Sequence, residues 1–103
     1  MIPFVLGNLL VLVYDDNVSK LLADNKIRKK VDNIVDEVLQ IVDRKDSLDK
    51  HVILSEIYAF PDGFISEFDS VQGVFILSQM IKGIDCFSTP NVSELVSVAM
   101  KKY

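Results

Sequence analysis

The sequence predicts an all-α domain, packed as a compact bundle or orthogonal array of about five helices. Apolar residues recur at three- and four-residue intervals along most of the chain, and residues that start or stop helices separate these stretches. A chain of 103 residues is long enough for one core of its own, so we take residues 1–103 as a single helical domain. Short connections between consecutive helices favour antiparallel neighbours.

The clearest helix is predicted for residues 27–44. Its main apolar residues are separated by four, three, four and three positions, and charged residues cover the opposite side. This is the pattern of an amphipathic helix with one buried face. Further apolar residues widen that face enough to touch several neighbours, so we predict this helix at the centre of the bundle. The face consists of Ile27, Val31, Ile34, Val35, Val38, Leu39, Ile41 and Val42.

The first helix is predicted for residues 3–24, with an interruption near residues 15–17. Asn8 is expected on its polar side, and Asn25 is a suitable C-cap because asparagine tolerates the left-handed conformation. A buried strand over residues 9–14, followed by a turn, is the alternative. We favour the helix because the apolar pattern continues beyond the interruption, as it would not for a strand.

A third helix, capped by Asp46 or Ser47, is predicted to end at Phe60. The residue before a proline is pushed out of helical geometry, and Pro61-Asp62-Gly63 then forms a turn in which glycine supplies a positive φ. The same turn closes a β-hairpin in an alternative α+β fold. Residues 51–69 are therefore either a helix with a loop or a hairpin, and the helical spacing of their apolar residues favours the first.

Two more helices complete the predicted fold. The fourth is capped by Ser66 or by Asp69–Ser70 and ends before Gly83, while the fifth begins at Thr89-Pro90. Proline suits the first helical position because its missing N–H has no partner there in any case. The buried stripe expected on the fourth helix consists of Val71, Val74, Phe75, Ser78 and Ile81, with Leu77 and Met80 beside it.

Composition excludes several function classes. A net charge of −4 and a pI near 4.8 argue against nucleic acid and anionic membranes as partners. The single cysteine, Cys86, cannot form an internal disulfide and suits a reducing cytoplasm. His51 is the only histidine, and nothing in the sequence brings it near Cys86, as a nucleophilic pair would require. We therefore expect no enzyme, no catalytic residue and no cofactor.

Apolar residues around the turn are the predicted partner-binding site. They close one end of the bundle, which is the commoner role, or they stay exposed and anchor a partner. Both roles follow from the same residues, and only exposure separates them. The candidates are Phe60, Phe64, Ile65 and Phe68.

Carboxylates at the same turn suggest a second use. Asp62, Glu67 and Asp69 are candidate metal ligands, with calcium the best-suited ion because it binds oxygen ligands. The residues just before Asp62 carry no side-chain oxygen, which a calcium loop of the EF-hand kind needs. A capped turn between two helices explains the same residues without a metal.

The function that this sequence favours is a non-enzymatic protein-interaction module, such as a regulator, adaptor or inhibitor. Half of the residues are hydrophobic and the mean hydropathy is +0.29, while a small domain has much surface for its volume. Some apolar side chains are then expected to remain outside, on a helical face that joins two copies into a homodimer. We expect the first or the last helix to contribute that face. The alternative is a helical domain that binds a metal or small ligand at the Asp62–Asp69 turn.

Overall fold

The helices predicted from the sequence form and pack against one another as an all-α bundle. The computed structural model describes residues 2–41, 49–80 and 90–103, and within these ranges it contains six helices and no strand. The strand alternative for residues 9–14 and the hairpin alternative around Pro61-Asp62-Gly63 are therefore wrong. None of the helices in the described ranges has the length and apolar character needed to cross a bilayer. The helices are α1 (Ile2–Tyr14), α2 (Val18–Ala23), α3 (Asn25–Ile41), α4 (Lys50–Tyr58), α5 (Val71–Met80) and α6 (Pro90–Lys102).

The predicted interruption near residues 15–17 separates α1 from α2. Asp15 adopts the left-handed conformation with φ 54°, which aspartate tolerates better than most residues. The next boundary differs from the prediction, because Asn25 is not a C-cap but the first residue of α3. Asp24 ends α2 instead, and its carboxylate accepts a hydrogen bond of 2.9 Å from the N–H of Lys26 at the start of α3.

Side-chain caps also start the later helices. The carboxylate of Asp49 accepts from the N–H of His51 at 2.8 Å, and the hydroxyl of Ser70 accepts from the N–H of Gly73 at 2.9 Å. Pro90 is the first residue of α6, as predicted. The prediction that Asp46 or Ser47 caps the third helix is wrong, because Asp49 caps it as α4. Asp46 and Ser47 lie outside the described residues, as do Gly83, Thr89, Ile81, Val42 and the side chain of Ile41.

The centre of the bundle is α1, and the prediction that placed α3 there is wrong. Helix α1 packs against α2, α4, α5 and α6, whereas α3 packs against α2, α4 and α6. A helix that is apolar on all sides is one that neighbours surround, and α1 has no charged residue. α3 buries a single stripe that includes Val31, Ile34, Val35 and Val38, as predicted, and turns its charged side outward.

The charged side of α3 orients α4 and α6. The ammonium of Lys50 lies 2.8 Å from the carboxylate of Asp36 and 2.9 Å from that of Asp32. These hydrogen bonds raise the pKa of Lys50, and the bond to Asp36 has the larger effect. The carboxylate of Glu37 accepts from the side-chain amide of Asn91 at 2.6 Å, at the start of α6. Exposed ion pairs contribute at most about 1 kcal/mol each, so these contacts add little to the stability of the bundle.

Helix α5 meets the preceding loop most closely at Gly73. A Cβ on this residue would lie 2.5 Å from the carbonyl oxygen of Phe68 and 2.6 Å from its carbonyl carbon. These are backbone atoms, so no side-chain rotation can make room. A residue without a side chain is therefore required where α5 crosses Phe68.

We predict that Gly73→Ala destabilises the protein by about 1–2 kcal/mol. Forcing α5 away from the loop costs about 1–3 kcal/mol, and the better helix propensity of alanine offsets up to about 1 kcal/mol of this. Urea unfolding followed by circular dichroism measures the difference. Ser55→Ala, at an exposed position of α4, is the control and should change stability little. An equally stable Gly73→Ala protein would contradict the close contact with Phe68.

Candidate functional site

The Pro61-Asp62-Gly63 turn is fastened to the connection between α1 and α2. Gly63 has φ 80°, the positive value expected from the sequence. Its N–H donates a hydrogen bond of 2.7 Å to Oδ1 of Asn17, and the hydroxyl of Ser19 donates one of 2.7 Å to Oδ1 of Asp62. Two bonds between residues far apart in the sequence thus hold the turn in one place.

The loop after the turn covers one side of α1. The ring of Phe60 lies so close to Gly7 that a Cβ there would overlap it. The hydroxyl of Ser66 donates a hydrogen bond of 2.7 Å to Oδ1 of Asn8, whose amide nitrogen donates one of 2.8 Å to the carbonyl of Phe4. Asn8 is only 1% exposed, so its predicted place on a polar side is wrong. Its polar atoms are satisfied inside the protein, as burial requires.

Two of the four predicted partner-binding residues pack against the core, and a third is half-buried at the edge of the loop. Phe60 and Phe68 pack against the core, and Phe64 meets Phe60 edge to face, with 4.9 Å between ring centroids. Ile65 is 81% exposed. The aromatic rings therefore close one side of the bundle and leave Ile65 accessible. Partner binding by these four residues stays a prediction.

The candidate metal ligands are not arranged as a metal site. Asp62 accepts the hydroxyl of Ser19, and Glu67 and Asp69 are exposed. Within residues 2–41, 49–80 and 90–103, no three histidine, cysteine, aspartate or glutamate side chains are placed to hold a metal ion. His51 is exposed at the start of α4, and Cys86 lies outside the described residues, so their proximity is not described.

A groove of about 480 Å³ opens beside Ile65. It lies between the end of α1, the α1–α2 connection, the loop after the turn and the end of the chain. We call it the turn groove and define it by Asp15, Asp16, Phe64, Ile65, Asp69 and Tyr103, which are among its lining residues. Sequence reasoning missed this groove because its residues come from three distant parts of the chain. The adjacent acids at 15 and 16 were the only local signal.

Lys102 neutralises one of the three carboxylates. Its ammonium pairs with the carboxylate of Asp15 and donates a hydrogen bond of 2.6 Å to the carbonyl of Leu12. That carbonyl belongs to the last turn of α1, where helical carbonyls need outside donors. Asp16 and Asp69 have no cationic partner in the part of the chain that the structure describes.

The outer side of α5 is apolar and uncharged. The helix contains no Asp, Glu, Lys, Arg or His, and it buries Gly73, Val74 and Leu77. Val71 and Phe75 are exposed, so their predicted place in the buried stripe is wrong. The fully buried side of this helix is narrow, and apolar residues continue around it. We call the exposed residues Val71, Gln72, Phe75, Ile76, Gln79 and Met80 the α5 face.

Comparison with known proteins assigns no function to this chain. No family model, curated protein or solved structure matches it. The α5 face and the turn groove are therefore the observations on which functional reasoning can draw.

We predict that the Asn8–Ser66 hydrogen bond couples the loop to α1. Ser66→Ala should cost about 1–2 kcal/mol, because it leaves the buried oxygen of Asn8 without its donor. Asn8→Ala should cost about 2–3 kcal/mol, because it also leaves a small cavity. In the double variant the cost should be clearly less than the sum of the two, since each single change already breaks the same bond. Additive costs in a urea-unfolding cycle would contradict this coupling.

We predict that Lys102→Met destabilises the protein by about 1–2 kcal/mol, through the loss of a charge-assisted hydrogen bond to Leu12 and the ion pair with Asp15. Lys101→Met is the matched control, since it removes the same charge from an exposed neighbouring position. Thermal unfolding of both variants makes the comparison. Equal melting temperatures for the two variants would show that the contacts of Lys102 contribute nothing specific.

Proposed function

We propose that this chain is a non-enzymatic protein-interaction module that forms a homodimer through the α5 face, in the reducing cytoplasm that its single cysteine suits. The observation that carries the proposal is the exposure of four large apolar side chains on one uncharged helix. Val71, Phe75 and Ile76 are about half exposed, and Met80 is 36% exposed. Contiguous apolar patches beyond a few hundred Å² are uncommon on monomeric proteins and often mark interaction sites.

A second copy of the chain is the partner that this face suits best. In a symmetric dimer the same patch lies on both copies, so a charge near the two-fold axis would lie close to a like charge. The α5 face carries none, although the chain as a whole has a net charge of −4. Gln72 and Gln79 offer amide donors and acceptors for hydrogen bonds across such an interface. A charged partner, by contrast, would find no complementary charge on α5.

The α5 face is expected to form the centre of the interface. A stable interface buries about 800 Å² on each partner, more than these side chains provide. Interfaces usually have an apolar core surrounded by a polar rim. The surfaces beside α5 would supply that rim, while Phe75 and Ile76 would contribute most of the burial.

We propose α5 for the dimer face, although the sequence suggested the first or the last helix for this role. Helix α1 is enclosed by four neighbours and has little outer surface to offer. On α6, Val98 is exposed, but its helix also carries Glu94, Lys101 and Lys102. Neither helix offers an uncharged apolar face comparable with that of α5.

Light scattering after size exclusion tests the dimer. We expect a dimer at high protein concentration and its dissociation in Phe75→Glu, because a carboxylate buried without a partner costs several kcal/mol. The dimer dissociation constant should rise by about a hundredfold or more. Val52→Glu is the matched control, since Val52 on α4 and Phe75 are each 53% exposed.

Two results would overturn this proposal. One is a monomeric wild-type chain at every accessible concentration. The other is equal dissociation by Phe75→Glu and Val52→Glu, which would make the effect one of added charge and not of position. Circular dichroism of both variants shows that they remain folded.

A further inference from the structure

We infer that the turn groove binds a basic segment of a partner protein, in which an arginine or lysine stands beside an apolar residue. This inference is independent of the dimer, because no residue of the α5 face lines the groove. Two features of the groove support it together: carboxylates that no cation among residues 2–41, 49–80 and 90–103 pairs with, and an apolar side chain exposed on the same rim.

The charge of the groove selects a cation. Asp15, Asp16 and Asp69 line it, and Lys102 neutralises only Asp15. The net charge of −4 over the whole chain adds a field that attracts basic partners and speeds their encounter. An acidic segment would meet repulsion at the same place.

The chain itself shows how such a cation is held. The ammonium of Lys102 pairs with the carboxylate of Asp15 and lies 5.8 Å from the centroid of the Tyr103 ring. A carboxylate and an aromatic face thus share one cation at the edge of the groove. The groove lining also contains Asp16, Asp69 and Phe64. These residues offer carboxylates and an aromatic ring to an incoming side chain.

The exposed side chain of Ile65 favours a partner segment with an apolar residue next to its cation. Ile65 is 81% exposed, the highest value among the large apolar residues that the structure describes. It follows Phe64 in the groove wall, on a loop that the bonds of Asn17 and Ser19 hold in place. A fixed loop loses little conformational freedom when a partner binds, which favours affinity.

A peptide segment fits this groove better than a small free cation. The three carboxylates are exposed, and solvent and salt weaken each contact to at most about 1 kcal/mol. One isolated cation would therefore bind weakly. A chain segment combines two cationic contacts with burial of Ile65, so it gains more than a single cation does.

Fluorescence anisotropy with labelled peptides tests the inference on the full chain. The probe alternates arginine and leucine. One comparison peptide replaces arginine by glutamate, and another replaces leucine by serine. We expect only the arginine–leucine peptide to bind well, with an affinity that falls as salt rises. Asp16→Asn with Asp69→Asn should weaken it about tenfold, and Ile65→Ser should weaken it several-fold. Glu56→Gln, an exposed carboxylate on α4, is the control and should have no effect.

Three outcomes would overturn the inference. Equal binding of the glutamate peptide would remove the role of charge, and equal binding of the serine peptide would remove the role of Ile65. An unchanged affinity in Asp16→Asn with Asp69→Asn would place the binding elsewhere. Light scattering on the same variant separates this site from the dimer, which should persist in it. Loss of the dimer would instead make a second copy the occupant of the groove.

Discussion

The buried hydrogen bond between Ser66 and Asn8 is the interaction on which the arrangement of the surface depends. Helix α1 is apolar on all sides apart from this asparagine, and a buried amide oxygen left without a donor costs about 1–2 kcal/mol. The loop before α5 must therefore stay on α1, where it supplies the hydroxyl of Ser66. Once it lies there, Phe60 fits over Gly7, and the last side of the central helix is closed.

This closure determines which apolar groups remain outside. Because the loop serves as a cover for α1, the rings of Phe60 and Phe68 pack against the core, while Phe64 lines the turn groove and Ile65 is exposed. The loop leads directly into α5, which crosses Phe68 at Gly73 and is thereby fixed with Val71 and Phe75 outward. The α5 face and the exposed rim of the turn groove are thus two consequences of one packing arrangement.

Local patterns in the sequence predict the helices well but not their arrangement. The spacing of apolar residues located α3, and the acids and asparagine at 15–17 marked the break between α1 and α2. The central position of α1 reflects its lack of any charged side, whereas the spacing of apolar residues drew attention to α3. Burial of Asn8 depends on Ser66, which is distant in the chain, and no local pattern reports such a partner. On α5, a continuous run of apolar residues hid which side is buried.

The two proposed surfaces differ in what they can discriminate. An uncharged apolar face binds through area and shape, so many apolar surfaces can bind to it. Self-association through α5 would cover this face and prevent unspecific contacts. Carboxylates add little affinity when exposed, yet they repel acidic segments and accelerate the approach of basic ones. If both proposals hold, α5 supplies stability to a dimer and the groove supplies choice of partner. Dimerisation would then present two grooves at a fixed separation, and a partner with two suitably spaced basic segments would bind more tightly than a partner with one.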